Sequence, residues 1–179
     1  MELFSGEATQ AGIAKKLGIS LSTVNNALKP LQRIGAIEKM RFGFRLVDRE
    51  KALVFFATAR NLEKDVVFST RADLGALEIE KLMPAGIVFT AYSAFRLRFG
   101  EVPADYSEVY VYAGEEELVE LKKRFPARSG PPNITALAGG ELFKQEKIAS
   151  NELVFADLWN LKEWYAKEFI KALEQKMGI

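Results

Sequence analysis

One stretch near the start of the chain, residues 8–39, constrains the fold more than any other. Its sequence is ATQAGIAKKLGISLSTVNNALKPLQRIGAIEK, with apolar residues at helical spacing on both sides of a glycine. Gly18 can adopt the left-handed conformation that ends a helix, and Ser20 is suited to cap the next one. The pattern predicts a helix-turn-helix, two short helices that share a small apolar core. Its predicted core residues are Ile13, Ala14 and Leu17, then Ile19 in the turn, then Val24, Leu28 and Leu31.

The residues of the second helix that fall outside this core are short and polar, or basic. A DNA major groove admits a helix whose exposed side chains hydrogen-bond to base edges. Pro30 lacks a backbone N–H, so we expect the helix to kink or end there, with residues 31–34 as a bent extension that Gly35 closes. The residues predicted to contact DNA from this helix are Ser22, Thr23, Asn25, Asn26 and Lys29.

The next segment, residues 36–47 (AIEKMRFGFRLV), has the pattern of a tight β-hairpin with Gly43 at its turn. A basic hairpin directly after a helix-turn-helix is typical of a wing. We therefore expect Arg41 and Arg45 to contact the DNA backbone or the minor groove. The alternative is a winged helix that is purely structural or that binds only protein.

The charge of the chain is distributed unevenly. Residues 1–47 hold seven Lys or Arg and three Glu, a net charge of +4. The remaining 132 residues hold 18 basic and 21 acidic groups, a net charge of −3. This asymmetry indicates that the N-terminal part alone binds double-stranded DNA.

Composition excludes several kinds of site. The chain has no cysteine and no histidine, which removes Cys/His metal sites, thiol nucleophiles and histidine general bases. No apolar run approaches the roughly 20 residues that span a bilayer, and no signal peptide opens the chain, so we expect a soluble, cytoplasmic protein. The absence of cysteine and the many Glu, Lys and Arg residues also fit a heat-adapted source.

A third helix is expected at residues 48–61, which would complete the first domain. Winged helices normally have a helix before the helix-turn-helix, whereas only seven residues precede it here. We expect residues 48–61 to pack on the helix-turn-helix core instead, with Asp48 as the cap and Leu53, Phe56 and Ala57 on the buried face. The predicted DNA-binding domain is therefore residues 1–61.

The remainder, residues 62–179, alternates short β-rich and helical patterns. Strands are predicted at residues 66–70, 87–90, 108–113 and 134–138. Helices are predicted from an Asp73 cap to Met83 and at residues 91–99, 115–125, 153–159 and 161–177. The whole chain is thus predicted to be α+β: an N-terminal winged helix-turn-helix, then a small α/β domain with closing C-terminal helices.

This second domain offers few residues for catalysis. It has no GxGxxG, Walker or GxSxG motif. Asp65 and Asp73 flank a strand and are candidates for magnesium, although such acids are more often caps or solvated groups. Tyr92, Arg96 and Arg98 share a helix and are candidates for phosphate contact, with surface packing as the alternative. Asp157 is expected to point outward or to cap.

We therefore predict a sequence-specific DNA-binding regulator that is not an enzyme and uses no metal or cofactor. One alternative is a nucleotide- or nucleic-acid-processing enzyme for which the winged helix is a tether. Another is that the second domain is a protein-binding or ligand-sensing module.

Three further segments carry a resemblance to a known family. They are FGFRLVDREKALVFFA at the end of the winged helix, TAYSAFRLRFG before the strand EVYVYA, and SNELVFADLWN ahead of the last helix. With the winged helix, they make the chain resemble the AbiEi family, the antitoxin and regulator half of type IV toxin–antitoxin pairs. The resemblance implies a DNA-binding autorepressor whose C-terminal domain opposes a nucleotidyltransferase-like toxin.

Overall fold

The computed structural model describes residues 7–139 and 146–179. The described chain divides into a first unit that ends at Ala59 and a second unit that extends from Arg60 to Gly178. The architecture is α+β, with a helix-turn-helix in the first unit and a mixed sheet with helices in the second. Residues 1–6 of the predicted DNA-binding domain lie outside the described residues.

The first unit contains the predicted helix-turn-helix and hairpin. The hairpin strands are joined by one strand from the start of the chain, and the antiparallel sheet has the order β1-β3-β2. The elements in chain order are β1 (Glu7–Ala8), α1 (Gln10–Leu17), α2 (Leu21–Arg33), β2 (Ile37–Met40), β3 (Gly43–Leu46) and α3 (Arg49–Ala59).

Local hydrogen bonds account for the turn between α1 and α2. Gly18 has φ 64°, and the N–H of Ile19 donates to the Ala14 carbonyl at 3.0 Å, which ends α1 in a Schellman-type motif. The Ser20 hydroxyl then accepts from the N–H of Thr23 at 3.0 Å and caps α2. Both turn residues act as the sequence predicts.

The apolar core of the first unit differs in membership from the prediction. Val24, Leu28 and Leu31 of α2 are buried as expected. Leu17 and Ile19 are 49% and 40% exposed, so their prediction as core residues is wrong. Ala14 occupies the position that would face Ile19 across the turn, and its single methyl group can cover only a small part of that side chain. The core is completed by Ala36, Ile37, Phe44 and Ala52, with Ile13, Ala14 and Phe55 packed against it.

Helix α2 continues through Pro30 to Arg33 as one element. The helix therefore does not end at Pro30, although an end there is one of the two outcomes predicted. Gly35 has φ 73°, and the next N–H, that of Ala36, donates to the Leu31 carbonyl at 2.9 Å. Gly35 thus closes the helix as predicted.

The hairpin turn lies one position earlier than predicted. Met40 pairs with Gly43, so Arg41 and Phe42 form the two-residue loop and Gly43 opens β3. Strand β1, which the sequence patterns did not reveal, runs beside β3 at this point. A Cβ on residue 43 would lie 2.2 Å from the Ala8 carbonyl oxygen, so the close approach of β1 requires the glycine.

Helix α3 follows the hairpin, and the Asp48 carboxylate caps it by accepting from the N–H of Lys51 at 2.9 Å. Leu53 and Ala57 are buried as predicted, whereas Phe56 is 40% exposed and its predicted burial is wrong. The buried stripe of α3 is completed by Ala52, so small side chains that lie close to the backbone form most of it.

The second unit is built on a four-stranded sheet of order β4-β7-β6-β5. Strands β6 and β7 are parallel, and the two outer pairs are antiparallel. Its elements are β4 (Val66–Thr70), α4 (Ala76–Leu82), β5 (Val88–Thr90), α5 (Ala91–Phe99), β6 (Val109–Ala113), α6 (Glu115–Arg124), β7 (Ile134–Ala138), α7 (Asn151–Trp159) and α8 (Ala166–Met177).

Three helix starts in this unit differ from prediction. Helix α7 begins at Asn151 and not at residue 153. The cap of α4 is Gly75, whose N–H donates to the Glu78 carboxylate at 3.2 Å, so Asp73 is not the cap. Helix α8 begins at Ala166 and not at residue 161. Because α7 and α8 pack on each other, the intervening residues are needed to reverse the chain. Phe169 and Leu173 of the predicted stripe are buried.

The predicted outward orientation of Asp157 is also wrong. Its side chain is fully buried and accepts hydrogen bonds from Arg60 Nε at 2.6 Å, Thr90 Oγ1 at 2.5 Å and Tyr112 Oη at 2.7 Å. Burial raises the pKa of the Asp157 carboxyl, and the Arg60 guanidinium opposes that shift. These donors satisfy a carboxylate that would otherwise be costly to bury.

Candidate nucleic-acid interface

The polar side of α2 is directly opposite its buried side. Successive residues of a helix are rotated by about 100°, so four side chains point within roughly 40° of the direction opposite Val24. All four are exposed. We call this set the α2 polar row: Ser22, Asn26, Lys29 and Arg33.

The other two predicted base-reading residues flank the polar row. Thr23 and Asn25 are both exposed, on opposite sides of it. The Thr23 hydroxyl lies 2.8 Å from the Ser20 hydroxyl, so Thr23 is part of the cap as well as of the surface. The structure thus brings all five predicted α2 residues to the exposed side of one helix.

One hydrogen bond orders the middle of the polar row. Lys29 Nζ donates to Asn26 Oδ1 at 3.1 Å. The contact directs the Asn26 carbonyl oxygen toward the ammonium group and leaves the amide nitrogen without a partner among the described residues. An asparagine reads adenine by accepting and donating at once, so Asn26 can donate freely but shares its acceptor.

Arg33 is an interface candidate that the sequence analysis missed. It is exposed and makes no ion pair with any described residue. Its spacing of four residues from Lys29 and seven from Asn26 places it at the C-terminal end of the polar row. That spacing is a signal in the sequence that places Arg33 on the same side of α2 as Lys29. An expected kink or end at Pro30 would remove Arg33 from the part of the helix that faces the groove.

The two predicted wing residues occupy different settings. Arg41 is in the exposed loop of the hairpin and makes no ion pair within the described chain, although its guanidinium lies 5.1 Å from the centroid of the Phe42 ring. Arg45 lies opposite Glu38 in the β2–β3 ladder, and their side chains form an ion pair at 3.1 Å. The charge of Arg45 is therefore compensated locally, whereas that of Arg41 is not.

Comparison with known proteins agrees with this geometry. Residues 5–38 match the family described as winged helix-turn-helix DNA-binding. The first unit is a winged helix-turn-helix domain. No curated protein and no solved structure matches the chain. The match supports a DNA-binding regulator and does not extend to the AbiEi family, which stays a hypothesis.

Outside the winged helix, the candidate residues for chemistry are held in internal contacts. Asp65 pairs with Arg60 at 3.1 Å, and Asp73 pairs with Arg128 at 3.2 Å. Among the described residues, no three Asp, Glu, His or Cys side chains are grouped closely enough to hold a metal ion. Within the same ranges, no helix has the length and apolarity needed to cross a membrane.

The predicted phosphate-binding candidates of α5 are also engaged within the second unit. Arg96 donates to Tyr106 Oη at 3.0 Å and forms an ion pair with the buried Glu80. Arg98 donates to the Ala149 carbonyl at 2.8 Å. Tyr92 is fully buried. These contacts favour the structural alternative for all three predicted residues.

Proposed function

We propose that this protein is a sequence-specific transcriptional regulator that binds double-stranded DNA in the cytoplasm, with α2 in the major groove and the β2–β3 hairpin on the flanking backbone. The observation that carries the proposal is the α2 polar row, which lies opposite the buried face of a helix in a winged helix-turn-helix domain. Short polar side chains can approach base edges there, and the two basic residues at its C-terminal end can contact phosphate.

Within the proposed interface, the chemistry of each side chain determines whether it reads bases or attracts the phosphate backbone. Asn25 and Asn26 carry amides, which can discriminate adenine by paired hydrogen bonds, and Ser22 and Thr23 add shorter contacts. Lys29, Arg33, Arg41 and Arg45 carry charges, which attract every DNA sequence equally.

Replacement of the amides tests base reading. Asn25→Ala and Asn26→Ala should each cost roughly 1–3 kcal/mol on the preferred duplex and little on random-sequence DNA. The preferred duplex can be selected from a random pool with the wild-type chain, and affinities measured by fluorescence anisotropy. Gln175→Ala, an exposed amide of α8, is the matched control and should change neither affinity. Equal losses on both duplexes would remove base reading from the proposal.

We also propose a finer role, that of the antitoxin and autorepressor of a type IV toxin–antitoxin pair. The resemblance of three segments to the AbiEi family supports it. A gene for a nucleotidyltransferase-like toxin should then lie next to the gene for this protein, and co-expression should restore growth to cells that produce that toxin. A neighbourhood without such a gene, or a failure to restore growth, would leave only the regulator.

The proposal assigns no reaction to the second unit. The ion pairs of Asp65 and Asp73 with arginines support this, because those acids are the ones with which magnesium would have to be held. A thermal-shift screen with magnesium and nucleotides checks the point. A rise of several degrees in melting temperature with either ligand would favour the alternative of a nucleotide- or nucleic-acid-processing enzyme.

A further inference from the structure

An aromatic side chain stands at the tip of the wing with little protein around it. Phe42 is 78% exposed, the largest exposed fraction among the large apolar side chains of the described residues. It belongs to the two-residue loop between β2 and β3. Because removal of apolar surface from water is favourable, the exposed ring would gain free energy from burial against a binding partner.

The backbone of the hairpin that carries this ring is anchored to the winged helix. At its base, Ile37 and Phe44 are buried in the core of the winged helix. On one side, β1 pairs with β3, and its carbonyl at Ala8 approaches Gly43 too closely for any side chain there. Phe42 is therefore presented on a ribbon anchored by both packing and pairing.

The neighbour of the ring is a cation suited to DNA. The Arg41 guanidinium lies over the Phe42 ring at 5.1 Å from its centroid and carries a charge that no described residue neutralises. A pair made of one cation and one exposed aromatic matches what a minor groove offers at a kink. The groove attracts the cation, and the opened base step accepts the apolar wedge.

We propose that Phe42 inserts into the minor groove beside the bases that α2 contacts, partly unstacks one base step and bends the duplex. This inference rests on the proposed function and adds a second mode of sequence selection. Pyrimidine–purine steps such as TA and CA unstack most easily, so the protein should prefer one of them under the wing. The preference arises from deformation of the DNA and needs no hydrogen bond to a base.

The test uses the full chain and a duplex selected by the wild-type protein from a random pool. Unstacking is read from 2-aminopurine placed at successive positions, and bending from energy transfer between dyes at the two ends. Wild-type protein should raise 2-aminopurine fluorescence at one step under the wing and shorten the end-to-end distance. Phe42→Ala should abolish both signals and weaken binding about tenfold, whereas Phe42→Leu should keep most of each.

Two controls separate this inference from the proposed function. Arg41→Ala should lower the salt dependence of binding, while Phe42→Ala should leave it unchanged because a phenyl ring displaces no counterion. Trp164→Ala removes an aromatic of the second unit that is 74% exposed and should alter neither bending nor affinity.

The decisive measurement replaces the TA or CA step by an AA step. This change should weaken the wild-type complex and leave the Phe42→Ala complex unaffected. Wild-type binding with no unstacking, or equal effects of the AA step on both proteins, would overturn the wedge and leave the regulator intact. A wild-type chain that selects no duplex at all would overturn the proposed function itself.

Discussion

Removal of the buried carboxylate of Asp157 should destabilise the second unit strongly. The carboxylate is fully buried and accepts from three side chains at 2.5–2.7 Å. Asp157→Ala would leave the Arg60 guanidinium, only 14% exposed, with Asp65 as its remaining carboxylate partner. It would also remove an acceptor from the Thr90 and Tyr112 hydroxyls. Loss of one partner from such a buried pair costs about 3–5 kcal/mol.

The loss in free energy of unfolding can be measured specifically for the second unit within the full chain, because of where the tryptophans lie. Trp159 and Trp164 are the two tryptophans of the chain, and both are in the second unit. Urea unfolding followed by tryptophan fluorescence therefore reports that unit. Asp65→Ala is the matched control: Asp65 contacts the same arginine but is 40% exposed, so its removal should cost less than about 1 kcal/mol.

The double variant Arg60→Met with Asp157→Leu tests the physical reason. Removal of both charges together should recover much of the loss, because no unpaired charge is left inside. The argument is that Asp157→Ala is costly because it leaves the buried Arg60 charge without its main partner. A cost below about 1 kcal/mol for Asp157→Ala, or a double variant less stable than Asp157→Ala, would refute it.

Two further predictions concern the first unit. Arg41→Ala should reduce the slope of log K against log salt by about one. Arg45→Ala should reduce that slope less, because Glu38 already neutralises Arg45. DNA-binding titrations from low to high salt measure both slopes, and equal slopes for the two variants would contradict this prediction. Leu53→Ala should cost about 2–5 kcal/mol and Phe56→Ala, on the same helix, less than about 1 kcal/mol, since Leu53 is fully buried and Phe56 is 40% exposed; thermal unfolding followed by circular dichroism distinguishes them.

Local patterns in the sequence predict most of the elements correctly. Ser20 and Gly18 determine the turn through their own backbone and side-chain hydrogen bonds, so neighbouring residues suffice to predict it. The same holds for α5, whose predicted bounds coincide with the observed Ala91–Phe99. Each of these features depends on hydrogen bonds between residues a few positions apart.

Contacts between distant residues account for two of the errors. Asp157 sits among apolar neighbours in the sequence, and its three donors come from positions 45, 67 and 97 residues away. Strand β1 has two residues and is defined only by its pairing with β3. Neither feature leaves a periodic signal, because each depends on partners that only the folded chain brings together.

The same distinction applies to the two parts of the candidate interface. A helix periodicity separates the polar row from Val24 and Leu28 without any tertiary information. The pairing of Arg45 with Glu38 depends on strand register, which a one-residue change in the predicted turn would alter. Contacts predicted for α2 therefore need only local sequence information, whereas contacts predicted for the wing also need the correct strand register.

The contacts of the arginines favour the winged helix as the DNA-binding part of the chain. In the second unit each arginine has a hydrogen-bond or ion-pair partner within that unit, as Arg60, Arg71, Arg96, Arg98, Arg124 and Arg128 show. In the winged helix, Arg33 and Arg41 are exposed and form no ion pair with described residues. A guanidinium that is already paired must give up that partner to bind phosphate, whereas an unpaired one only displaces water and counterions. Among these arginines, the guanidinium groups available to a duplex are therefore at the end of α2 and at the tip of the hairpin.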